Sequence, residues 1–203
     1  MIKARLVSDE EIQHIWSKLL ADECNEPNSV PKSLLFTLEK MDKDDAEAFV
    51  KLCRLSVSID KKSFPIILGD EYGKGKYDKY GIDYELLLQL DKLGLIENSV
   101  DKINEFYTSE GDLFDNTSAK AIYHDEEYDF PEDFRTIPTG KVLYTKDGQA
   151  LSKAISCDRE DGFWAEIARP WLEYHSKLFL ENPSEYDPAR ELLKMQMTKT
   201  NVE

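Results

Sequence analysis

The sequence predicts a mainly α, α+β fold, and three observations predict it. Apolar residues recur at helical spacing over 8–57, 83–93, 146–156 and 163–182. Strand-like apolar segments are short and confined to 64–68 and 141–145. Hydrophobic residues make up 41% of 203, enough to bury a core.

Ser8-Asp9-Glu10-Glu11 has the form of a capping box, in which the Ser8 hydroxyl accepts the Glu11 amide and the Glu11 carboxylate accepts the Ser8 amide. Behind it Ile12, Ile15, Trp16, Leu19 and Leu20 share one helical face, and the helix runs to about Cys24. Asn25 to Ser29 is turn chemistry. A second helix starts near Pro31, with Leu34, Leu35, Leu38 and Met41 as its apolar stripe. Asp42 caps a third helix, with Asp45 in its first turn and Ala46, Phe49, Val50 and Cys53 facing inward.

Phe64 to Leu68 reads as a short buried strand, weakened by Pro65. Residues 70–81 form a Gly/Lys/Tyr loop. A fourth helix spans Asp83 to Leu93 and stops at Gly94, whose freedom at positive φ suits a helix end. Residues 99–139 are poorly periodic. Lys141 to Thr145 alternates like a strand, and 146–156 is a short helix. The last long helix, 163–182, is kinked or started by Pro170 and carries a broad aromatic arc of Phe163, Trp164, Trp171 and Phe179. A weak helix near 189–197 and a polar end follow. The expected division is a helical bundle over 1–58, a middle segment over 59–158 with an insert at 99–139, and a C-terminal helix with polar tail over 159–203.

The middle segment has the texture of a winged helix. A leucine-rich helix ends in Leu93-Gly94-Leu95-Ile96, and a later Val142-Leu143-Tyr144-Thr145 leads into another helix. Its helix of recognition would carry Asp83, Glu85 and Asp91 against Lys92, which opposes contact with DNA phosphates.

Charge narrows the function classes. Forty-one acids against 26 basic residues give a net charge of −15. Such a field repels phosphate backbones and anionic membranes and favours basic partners. Residues 109–133 concentrate it, with nine acids against Lys120. Glu110, Asp112, Asp115, Asp125, Glu126, Glu127 and Asp129 are therefore the candidate partner-binding residues. Lys74, Lys76 and Lys79 form a candidate anion-binding loop, short of the P-loop pattern. The aromatic arc is either core or a homodimer seam.

No catalytic, metal or cofactor site is expected. His14, His124 and His175 lack a second ligand at metal spacing, and no G-x-S-x-G occurs. Within Tyr123 to Glu127 an acidic solvated loop outweighs a cation site. Cys24, Cys53 and Cys157 are odd in number and far apart, as in a reducing compartment. No apolar run reaches the ~20 residues that span a bilayer. A cytoplasmic protein is expected.

The helices at 8–57 resemble a bacterial domain-of-unknown-function family, number 2806, and the related region of abortive-infection alpha proteins. The matching residues are Gln13, Trp16, Leu19, Leu20 and Ala21, then Thr37, Leu38 and Met41, then Glu47, Ala48 and Phe49. Tyr144-Thr145-x-x-Gly148-x-x-Leu151 resembles the family's C-terminal segment. These are core and capping residues, so the resemblance implies a shared fold and an association with mobile elements or phage defence, and transfers no catalytic role. The leading expectation is a non-enzymatic protein-interaction module whose acidic insert docks on a basic partner. The alternative is a winged-helix transcription regulator.

Overall fold

The computed structural model describes residues 10–68, 77–99, 104–107, 120–124, 126–130, 136–164, 166–167 and 171. Within them the fold is mixed α+β. The helices are α1 (Glu10–Asn25), α2 (Lys32–Lys40), α3 (Lys43–Arg54), α4 (Tyr84–Lys92) and α5 (Lys146–Ala154). The strands are β1 (Ser56–Ile59), β2 (Lys62–Pro65), β3 (Ile96–Asn98), β4 (Asn104–Tyr107), β5 (Lys120–Tyr123), β6 (Glu126–Asp129), β7 (Thr136–Gly140) and β8 (Val142–Tyr144). The Ser8 capping box, the helix beyond residue 171 and the weak helix at 189–197 lie outside the described residues.

Local chemistry explains the helix ends. Asp42 accepts from the Asp45 amide at 2.9 Å while Asp45 accepts from the Asp42 amide at 3.1 Å, a reciprocal capping box at the start of α3. The Asp45 carboxylate also takes a hydrogen bond from the Gln89 amide, tying α3 to α4. Asp83 caps α4 through the Leu86 amide at 2.8 Å, and Gly94 at φ 72° turns the chain out. Thr145 caps α5 through the Gly148 amide at 3.1 Å.

Helices α1 and α2 pack on α5, and α3 packs on α4. This arrangement narrows two apolar stripes. Ile15, Leu19, Leu34 and Leu38 are buried, whereas Leu20 and Leu35, expected to face inward, are 49% and 38% exposed.

The hairpin β1–β2 was not legible as such. The expected strand at 64–68 begins earlier, pairs Val57 with Phe64, and leaves Pro65 at its end opposite Ser56, where its missing amide is tolerated. Asp60 and Lys61 make the two-residue turn, at φ 47° and 65°. Both sit in the left-handed region such a turn demands, without the usual glycine.

The described parts of 99–139 and the segments flanking them form strands. Strands β3 and β8 pair antiparallel, the Ser99 amide reaches the Lys141 carbonyl at 2.8 Å, and β4 pairs with β7. The insert then sends β5–β6 back to β1, matching Ser58 to Ile122 and Ile59 to Ala121. The result is a four-stranded sheet in the order β2-β1-β5-β6. Tyr123 locks this docking: its phenol oxygen accepts the Glu160 amide at 2.9 Å and donates to the Arg54 carbonyl at 3.0 Å.

One apolar cluster runs from Ile15 to Trp171 and draws on all three sequence segments. Phe163, Trp164 and Trp171 belong to it, with exposures of 0%, 6% and 2%. The Trp171 indole donates to the Pro138 carbonyl at 2.7 Å, and Trp164 meets Trp171 edge-on.

Candidate functional site: an acidic strand edge and a lysine-lined groove

Two surfaces emerge from this packing. The first is acidic. Strand β6, Glu126-Glu127-Tyr128-Asp129, is the outer strand of the four-stranded sheet among the described residues. Edge strands present unpaired backbone groups, and charge on them discourages indiscriminate strand pairing while leaving a charged surface to a chosen partner. Glu127 is exposed and lies 3.4 Å from Lys120 on the neighbouring strand. Glu126 and Asp129 share the strand with it. Glu110, Asp112, Asp115 and Asp125 lie outside the described residues.

The second surface was not anticipated. A groove of about 870 Å³ opens between the C-terminal half of α1 with the turn after it, the β1–β2 turn, and the β8–α5 junction. Its walls are locally enforced. The Glu23 carboxylate accepts the Asn28 amide at 2.8 Å and the Val30 amide at 3.0 Å, which fixes the turn after α1. Those two amides hold the Glu23 carboxyl below its ordinary value. On the other side, Gln149 of α5 donates to the Ser63 carbonyl at 2.5 Å and accepts the Ser63 amide at 3.1 Å. Asp147, buried in the first turn of α5, accepts the Ser33 hydroxyl of α2 at 2.6 Å.

The groove is basic. Lys18, Lys61, Lys62, Lys146 and Lys153 line it, against Asp22 and Glu26. None of these lysines forms a salt bridge to a described residue. They run from position 18 to position 153 of an acidic sequence, so no local motif announces them. Each reads as a solvated side chain until the fold gathers them.

Of the lysine loop expected to meet anions, Lys79 is described. Lys74 and Lys76 lie outside the described residues. Lys79, in a short 3-10 helix, is paired with the Glu166 carboxylate and sits over the Tyr80 ring at 4.7 Å. The Glu166 hydrogen bond, and then Tyr80, hold its ammonium above the ordinary lysine range. Its charge is already answered within the chain.

The described part of the aromatic arc lies in the core. Phe163, Trp164 and Trp171 are core residues, leaving little of their surface for a self-association seam. Phe179 lies outside the described residues.

Two of the three thiols are sheltered. Cys53 is buried, its Sγ accepts the Tyr144 hydroxyl at 3.5 Å, and burial pushes its thiol well up. Burial raises the half-buried Cys157 as well. No cluster of three His, Cys, Asp or Glu side chains able to hold a metal occurs among the described residues. No helix among them is long and apolar enough to cross a membrane.

The model of a family described as "Protein of unknown function (DUF2806)" matches residues 1–168. The chain belongs to that family. No curated protein and no solved structure matches it. The match covers every described element of this DUF2806 chain, including both the acidic strand and the groove.

Proposed function

We propose that the chain is a non-enzymatic protein-interaction module whose acidic insert docks on a basic surface of a partner protein. The observation that carries this reading is the position of β6. Among the described residues an acidic strand forms the outer edge of a sheet whose inner pair, β1–β5, is anchored to the core. A rigid base under a charged edge lowers the ordering cost of docking. Complementary charge speeds and selects the encounter. The setting we infer is bacterial or phage conflict, from the resemblance of the N-terminal helices to abortive-infection alpha proteins. A cytoplasmic location fits that setting.

We read the architecture as an N-terminal helical bundle followed by a winged-helix-like segment. The antiparallel β3–β8 pair after α4 supports it, with the acidic insert in the place of the wing. A winged-helix regulator would set α4 against DNA. The charges on that helix and its cap are Asp83, Glu85 and Asp91 against Lys92, and the first three repel phosphate. Affinity capture of the tagged chain from host lysate, with and without nuclease, separates the two readings. Recovery of a basic protein that survives nuclease supports the interaction module. Recovery of DNA with no protein partner overturns it.

A further inference from the structure

We propose that the lysine-lined groove binds a compact ligand bearing several phosphates. This proposal stands apart from the acidic edge and survives or fails without it.

The charge distribution carries the argument. In a chain with 41 acidic and 26 basic residues, Lys18, Lys61, Lys62, Lys146 and Lys153 converge on one groove that holds only Asp22 and Glu26 in return. The five ammonium groups line one groove, and a polyanion seated in it is attracted to all of them. Lysine acts on phosphate as a point charge approachable from many directions, so several lysines around a cleft suit a polyphosphate better than a single planar carboxylate.

Size and shape agree. The groove, about 870 Å³, falls within the roughly 300–1,000 Å³ of small-molecule sites. Leu19, Val30 and Leu143 give it an apolar floor. The net charge of −15 selects for compactness. A long polyanion would run past the lysines into the acidic field, whereas a ligand no longer than the Debye length of ~10 Å stays among them.

The β1–β2 turn delivers two of the lysines, Lys61 within it and Lys62 at the start of β2. Lys61 occupies φ 65°, where glycine would sit freely.

The test is isothermal titration of the full chain with inorganic triphosphate, adenosine triphosphate and adenosine. Triphosphate and adenosine triphosphate should each saturate at one per chain, and adenosine should not bind. Equal affinities assign recognition to the phosphates alone, and tighter binding of adenosine triphosphate adds the apolar floor. The double variant Lys18→Gln/Lys62→Gln should bind about tenfold more weakly, the scale expected for losing two cations of a partly screened cluster. Lys92→Gln, outside the groove, should change nothing. Lys61→Gly should melt at a higher temperature and yet bind more weakly, which separates lost recognition from lost folding. The proposal falls if triphosphate fails to saturate at low salt. It also falls if binding ignores the groove lysines, or if a short single-stranded oligonucleotide binds tighter than adenosine triphosphate.

Discussion

Gln149 grips the backbone of Ser63 with both ends of its amide, donating to the carbonyl at 2.5 Å and accepting the amide at 3.1 Å. The side chain imitates a β-neighbour for β2 and fastens α5 to the hairpin. Gln149→Ala should destabilise the chain by about 1–3 kcal/mol, the cost of orphaning part-buried backbone groups. Gln149→Glu should cost more, because it sets a negatively charged oxygen against the Ser63 carbonyl oxygen, two acceptors with no proton between them. Chemical denaturation of the two variants against the parent measures both.

Two glycines are steric requirements. A Cβ at Gly140 would collide with the Ile67 backbone, and φ there is 99°. A Cβ at Gly148 would collide with the Leu95 carbonyl, which α5 must approach to close the β3–β8 pair. Gly140→Ala and Gly148→Ala should each cost more than about 2 kcal/mol, since backbone must shift at both sites. Gly162→Ala, at φ 78° but in open space, should cost only about 1–2 kcal/mol, the left-handed strain alone. Similar losses at all three sites would contradict the packing described.

Glu23 makes one wall of the groove pH-sensitive. The Asn28 and Val30 amides lower its carboxyl from the ordinary 4.5. A depressed folded value stabilises fully above the unfolded value, and the contribution is lost as pH falls through the folded one. The stability gap between the parent and Glu23→Gln should therefore be widest near neutral pH and should close below 4.5. A gap that persists in strong acid would show that the carboxylate charge is not what holds the turn.

The thiols should react in order of exposure. Cys24 is exposed, Cys157 half-buried and Cys53 buried. A thiol reagent at mild alkaline pH should label Cys24 first and Cys157 slowly. Cys53, raised by burial, should label only on unfolding. Rapid labelling of Cys53 in the folded chain would contradict the core packing around Tyr144.

Capping and periodicity were legible because they are local. Asp42, Asp83 and Gly94 mark helix ends through atoms within a few residues, and the structure places them as expected. The hairpin at 56–65 escaped notice because Asp60-Lys61 lacks the glycine that usually signals its turn. The insert read as irregular because its strands take their partners from distant segments, as β5 does from β1. Leu20 and Leu35 match helical spacing but miss the core, since periodicity defines a face and not its width. The groove was invisible for a similar reason: its lysines become neighbours only when α1, the β1–β2 turn and α5 meet. The acidic insert, by contrast, was plain from composition, which counts charge without needing contacts.

The central claim is that the acidic edge is a docking surface. It is tested most directly by comparing capture of partner from nuclease-treated host lysate by the parent chain and by Glu126→Gln/Glu127→Gln/Asp129→Asn. A basic protein should be recovered in stoichiometric amount by the parent and lost with the neutralised strand, while both chains melt alike. Equal recovery by the two chains would contradict it.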